Sequence, residues 1–322
     1  MQMRFVYSLL LAIISVNIGV CQDAESSKAA PPSASSQRVE KTVKFLSTDC
    51  FPRDYTHAAN QLKAAEYIES HFKNAGLTVT RQKYKAEEHA LFNIHAVKNG
   101  KSRDRIIIGA HFDAVEQTPG ADDNASGAAA LIELAFLFKN VSDLPCDIEF
   151  IAWNSEEPPL YNTPGMGSAV HAEYIKKSKI KLKAVFCLDV IGYYSDKPGS
   201  QTYPSSALKY LYGDKGDFIG LMGNYCPSDF GKKLHACMNQ PGLKAQYLPV
   251  PVIYRERLAF SDHRNYFHFE CPTVFITNTG WYRNQAYHQA DDTPDTVDYK
   301  RVALIADGLF AFIRDYPPEK KP

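Results

Sequence analysis

His111 and Asp113 stand two residues apart, directly after the branched run Ile106, Ile107, Ile108. An imidazole there is a potential metal ligand, and a neighbouring carboxylate can accept its second N–H, which fixes the tautomer and raises basicity. Asp113 suits that role. Asp122 and Asp123 form an acidic pair among small residues, Gly120, Ala121, Ala125 and Gly127. Small neighbours permit close backbone approach, a following helix N-terminus favours negative charge, and a carboxylate with both oxygens free can bridge two cations. On composition either Asp could do so, and the segment also reads as a capping turn. Glu156 and Glu157 follow an apolar stretch ending in Trp153. Like charges this close repel unless a cation or a shared proton intervenes. One could bind metal while the other takes a proton from water. Asp189 leaves a further apolar run, Val185 to Leu188, and His288 lies just before a closing amphipathic segment. Separate segments thus supply two histidines and several carboxylates, a nitrogen and oxygen set that suits zinc, with other divalent transition ions as alternatives.

The elements that must carry these residues read as strands alternating with helices. Strands are expected over 79–84, 91–97, 105–110, 147–153, 183–188 and 273–277. The continuous runs at 106–108 and 147–153 imply strands covered on both faces. Helices are expected over 57–73, with Leu62, Ala65, Ile68 and Phe72 inward, and over 126–139, 167–177 and 299–312. Ser126 is the expected cap of the second. This alternation implies an α/β fold of three layers, a mostly parallel mixed sheet with helices on both faces. Such sheets bind ligands beyond the carboxyl ends of their strands, where the acidic and histidine residues fall. Residues 192–252 are rich in Tyr, Gly and Pro and are expected to supply pocket loops, including Tyr193, Tyr194 and Tyr225, with Arg255, Glu256 and Arg257 as a charged rim.

Lys plus Arg equals Asp plus Glu at 36 each, so no net field favours nucleic acid or an anionic membrane. Residues 1–21 read as a secretory signal, with Arg4 preceding the apolar run Phe5 to Ile14. Asn17 interrupts that run short of the roughly 20 apolar residues a membrane span needs, so no transmembrane segment is expected in the mature chain. Residues 22–38 read as a flexible leader and 39–317 as a single domain. A secreted or periplasmic location follows, with lipid anchoring through Cys21 disfavoured because Val20 precedes it. Six cysteines remain after the signal; Cys226 and Cys237 are closest in sequence, and Cys187 reads as a buried thiol. The chain has no GxSxG elbow, phosphate-binding loop or HExxH helix.

In their order and spacing, the segments around His111, Asp123, Glu156, Asp189 and His288 resemble the M28 family of metallopeptidases. The likeness extends from the Ile106 strand to Thr293, Pro294, Asp295, Thr296. It implies a zinc exopeptidase-like fold and two Zn2+ ions that share Asp123. His111 and Asp189 would complete one metal site, Glu157 and His288 the other, and Glu156 would be the general base and acid. Tyr287 becomes a candidate oxyanion donor. The implied activity is an aminopeptidase that acts on peptides with a free N-terminus through a two-metal activated water. Animal glutaminyl cyclases resemble the same fold with a single zinc and a Ser, Asp, His segment, matched here by Ser261, Asp262 and His263. Their metal histidine follows Trp, whereas His288 follows Tyr287. A non-catalytic, metal-stabilised binding domain is a third reading, which the presence of Glu156 argues against.

Overall fold

The branched run at 106–108 becomes the middle of a sheet. In the computed structural model, which describes residues 32–316, the chain begins with two helices, α1 (Ser36–Lys44) and α2 (Ala58–Asn74). Strands β1 (Thr78–Ala86), β2 (His89–Lys98) and β3 (Arg105–His111) follow, then α3 (Gly127–Leu137). Next come β4 (Asp147–Trp153), α4 (Gly167–Lys177), β5 (Leu182–Leu188), α5 (Ser206–Tyr212) and β6 (Phe218–Asn224). The order closes with α6 (Ser228–Met238), β7 (Lys244–Val250), β8 (Thr273–Thr277) and α7 (Tyr299–Arg314).

The eight strands form one mixed sheet in the order β1-β2-β4-β3-β5-β8-β6-β7. Strand β3 runs parallel to β4 and β5, β5 to β8 and β6 to β7; β2 is antiparallel to β1 and β4, and β6 to β8. Successive side chains leave a strand on opposite faces. Ile106 and Ile108 therefore join the core cluster to which α1, α2, α3, α6 and α7 contribute residues such as Val43, Phe72, Leu131, Leu234 and Leu309. Ile107 faces the other way, with Ala172 and Ile175 of α4 and Tyr266. Burial of each such isoleucine contributes about 1.5–3 kcal/mol. The two faces give the expected three layers.

A polar network lies inside the second face. Glu149 of β4 is fully buried and accepts from Arg105 at 2.9 Å. His95 Nδ1 is 2.7 Å and His171 Nε2 3.3 Å from its other oxygen. His171 Nδ1 meets the Tyr266 hydroxyl at 2.7 Å, and Trp153 Nε1 donates to the same hydroxyl at 3.1 Å. Burial alone would raise the Glu149 carboxyl, but His171, His95 and Arg105 outweigh it and hold it well below the usual range.

Several expectations are revised. The expected signal, residues 1–21, and residues 22–31 of the leader lie outside the described residues. The leader's last residues are folded: Ser35 caps α1, its N–H donates to Glu133 at 2.7 Å, and Arg38 pairs with Glu133. Ser33 Oγ and Ala34 N also donate to Asp307 of α7, at 2.9 and 2.7 Å. Leu62 of α2 is exposed while its neighbour Gln61 turns inward to Asn154 at 2.9 Å, a polar partner hidden from any apolar periodicity. Ser126 is already helical and caps nothing; Asn124 Oδ1 accepts from Gly127 N at 3.1 Å instead. All six described cysteines are free, with Cys187 buried as expected. Among the described residues no helix is long and apolar enough to cross a membrane.

Candidate metal centre

Three neighbouring parallel strands end at the same edge of the sheet. Strand β3 delivers His111, the turn after β4 delivers Glu156 and Glu157, and β5 delivers Asp189. The loop before α3 brings Asp123, and the loop before α7 brings His288. His111 Nε2 lies 3.3 Å from Asp123 Oδ1 and 3.1 Å from Asp189 Oδ1. His288 Nε2 lies 3.1 Å from Asp123 Oδ2 and 3.3 Å from Glu157 Oε2. Two triads, each one histidine and two carboxylates, therefore share Asp123, one on each of its oxygens. Glu156 belongs to neither of these triads; its Oε2 lies 4.0 Å from His111 Nε2, and it converges with His111 and Glu157 as a third group.

Asp113 lies behind the ligands, with Oδ1 3.4 Å from His111 Nδ1. The same carboxylate accepts the backbone N–H groups of Glu156 at 3.2 Å and Glu157 at 3.1 Å. One side chain thus positions both the first histidine and the acidic pair. Asp122, equal to Asp123 by composition, points elsewhere. It accepts from Gly192 N at 2.7 Å, Asn278 Nδ2 at 2.7 Å and Asn284 Nδ2 at 2.9 Å, and so ties three loops together. Tyr287 stacks on His288 with ring centroids 3.9 Å apart and borders a cavity beside the centre.

Several braces carry no local sequence signature. Asp292 accepts the backbone N–H of Asp122 at 2.8 Å and of Asp123 at 3.0 Å, and so holds the bridging loop. Asn124 Nδ2 donates to Leu188 O at 2.9 Å and its Oδ1 accepts from Val190 N at 3.2 Å, which joins the loop to the end of β5. Fully buried Arg53 donates to the carbonyls of Phe112, Pro119 and Gly120. Only their polarity in loops could have hinted at these roles. Ser155, Val190 and His288 all have positive φ, at 60°, 48° and 58°. For a branched residue such as Val190 that conformation is costly, on the order of 1–3 kcal/mol. Asn278 N, donating to Val190 O at 2.6 Å, helps to hold it. Of the expected pocket tyrosines, Tyr194 lies under Arg283 and Arg301 and Tyr225 bonds Arg255; neither lines the cavity, nor does Tyr193.

Without cations the cluster retains protons. Burial, with Glu157 and Asp189 nearby, pushes Glu156 well up against the pull of His111. Burial and Asp123 raise Glu157 to about 7. Burial would lower both histidines, but the surrounding carboxylates outweigh it, lifting His111 well above its ordinary value and His288 to about 10. Burial opposes ionisation of Asp123 too, yet His111 and His288 hold its carboxyl well below the usual range. Asp123 Oδ2, Glu157 Oε1 and His288 Nε2 are buried without a hydrogen-bond partner. Orphaned acceptors and imidazole nitrogens converging in this way fit divalent cations, and the donor set fits zinc. A further group, His95, Glu149 and His171, also converges, but Arg105 already neutralises its carboxylate.

A protein of Escherichia coli strain K12, described as uncharacterized protein YfbL, is 36% identical over 295 residues, covering 88% of this chain and 90% of that one. The structure of a zinc aminopeptidase from Bacillus subtilis superposes with a TM-score of 0.69 at 15% identity, covering 91% and 98% of the two chains. Glutaminyl cyclase from Porphyromonas gingivalis superposes with a TM-score of 0.65 at 16% identity, covering 87% and 98%. The two structural likenesses show the fold alone. The family model that matches is more specific: it spans residues 93–313, from β2 to α7 and through every residue of the two triads, and the chain belongs to peptidase family M28.

Proposed function

We propose that this chain is a zinc aminopeptidase that holds two metal ions and removes N-terminal residues from peptides. The observation that carries the reading is the double use of Asp123, whose two oxygens face two separate histidine and carboxylate pairs. His111 and Asp189 would hold one ion with Asp123, and Glu157 and His288 the other. When bound, such a pair of ions polarises the substrate carbonyl and acidifies water. Glu156 stands outside the two triads and is free to take the water proton and pass it to the leaving amine. Asp113 sets the position of Glu156 through its backbone N–H. The Tyr287 hydroxyl, at the cavity wall, is the candidate donor to the developing oxyanion. The carboxylate-rich centre would attract a substrate α-ammonium group, which favours a free N-terminus. Zinc-loaded protein should therefore cleave a free peptide and spare its N-acetylated counterpart. Equal cleavage of both would argue for an endopeptidase or amidase.

Glutaminyl cyclase chemistry with one zinc is the second reading. It is favoured by Asp262, a fully buried carboxylate near the centre whose oxygens have no hydrogen-bond partner and whose burial raises it to about 8. Ammonia release from N-terminal glutamine without peptide cleavage, at one zinc per chain, would decide for it. We also propose that the chain is exported and processed near Cys21. Mass spectrometry of exported protein should find Met1 absent, and a diacylglycerol mass on Cys21 would replace secretion by anchoring.

A further inference from the structure

Beside the metal centre opens a cavity of about 820 Å3, with Asp189 and Tyr287 in its wall. Most of the lining is apolar, including Phe218, Leu221, Met222, Phe275 and Trp281. That is more space than one amino-acid side chain fills and is within the range of sites that enclose whole small ligands, roughly 300–1,000 Å3. Among the described residues, two that line the cavity carry charge. Asp189 belongs to the candidate metal centre, which leaves Arg257 as the sole cation of the wall among the described residues.

The two neighbouring arginines differ. Arg255 is engaged, with Nε 3.3 Å from Glu256 and a hydrogen bond to the Tyr225 hydroxyl. Arg257 makes no ion pair among the described residues; its guanidinium lies over the Tyr254 ring, 5.5 Å from the centroid. Stacking of that kind leaves the in-plane N–H donors of a guanidinium free, and their fork matches the two oxygens of a carboxylate. An apolar chamber with the candidate metal centre in one wall and an exposed arginine without an ion pair among its lining residues is suited to a substrate that is apolar in its body and anionic at a distance from the scissile bond.

We propose that the cavity receives a carboxylate of the substrate at Arg257, while the apolar part of the substrate fills the chamber. This rests on the aminopeptidase reading and adds a substrate class to it. The carboxylate is either the C-terminus of a short peptide or the side chain of an N-terminal glutamate.

Two matched pairs of peptides test it on zinc-loaded protein. Phe-Leu-Phe as acid and as amide varies the terminal charge; Glu-Leu-amide and Gln-Leu-amide vary the side-chain charge. In one pair the charged member should be preferred about tenfold through KM, the size expected of one charge-assisted hydrogen bond. The ratio should fall to near one in Arg257→Gln and be partly restored in Arg257→Lys. The pair that responds identifies the source of the carboxylate. No preference in either pair, or a preference that survives Arg257→Gln, overturns the proposal. Trp281 lines the cavity and the other tryptophan, Trp153, is fully buried, so fluorescence quenching by the same peptides reads binding without turnover. If Gln-Leu-amide yields ammonia and no peptide is cut, the aminopeptidase reading fails, while the quenching ratio still decides on Arg257.

Discussion

His288 Nε2 sits 3.1 Å from Asp123 Oδ2, on the carboxylate oxygen opposite the one that faces His111. Loss of that carboxylate should therefore affect both triads at once. Asp123→Ala is expected to lower zinc from about two ions per chain to well under one, as in a site whose bridge is removed. Elemental analysis after reconstitution and desalting measures it. One retained ion would show that the triads are independent.

Asp122→Ala should act through folding. The substitution strips Gly192, Asn278 and Asn284 of a buried acceptor, so a loss of about 3 kcal/mol is expected. Calorimetry of the metal-free protein should find a clear drop in Tm. Unchanged stability would remove Asp122 from the scaffold.

Glu156→Gln keeps the size of the side chain but cannot accept a proton. Turnover should fall about 100- to 10,000-fold with zinc content unchanged. Near-normal turnover in the fully metallated variant would take Glu156 out of the mechanism.

Zinc uptake should release protons. His288, raised to about 10, holds its proton at neutral pH in the metal-free protein, His111 is raised in the same direction, and an imidazole nitrogen must be deprotonated to bind metal. At pH 7 release of at least one proton per chain is expected, from His288 with a further fraction from Glu157, a quantity given by calorimetry in buffers of different ionisation enthalpy. Zinc binding with no buffer dependence would contradict histidine ligation.

Glu149 makes acid stability a local property. Its folded carboxyl titrates below the ordinary 4.5, so its contribution is full above that pH and is lost as pH falls through the folded value. Tm of the wild-type protein should fall more steeply between about pH 5 and 3 than that of Glu149→Gln, which should be less stable at pH 7 by roughly 3 kcal/mol. Parallel Tm profiles would show that the network carries no net charge energy.

Residues that end continuous apolar strands were the legible part of the site. His111, Glu156, Glu157 and Asp189 follow stretches whose composition requires burial, so the sheet edge could be inferred from periodicity. Strands β6 and β7 were not anticipated, because Gly220, Gly223 and Pro249 dilute their pattern and their support comes from pairing with each other and with β8. Helix α1 was hidden in a polar segment whose inward residues Val39 and Val43 bury only against the rest of the chain. Asp292, Asn124 and Arg53 act through backbone groups far along the sequence, and no local spacing encodes such partners. The choice between Asp122 and Asp123 is of the same kind: adjacent carboxylates of identical chemistry are told apart only by where the loop turns.

That separation within one dipeptide has an evolutionary corollary. The side chains that shape the loop, Asp122, Asn124 and Asp292, are not the side chains that face the histidines. A descendant could replace Asp123 or His288 and inherit an intact loop, pocket and sheet. Silent relatives that keep the architecture and bind without cutting are thus a short mutational step away. In surveying homologues, retention of Asp122 would report ancestry, whereas retention of Asp123 together with Glu156 would report activity.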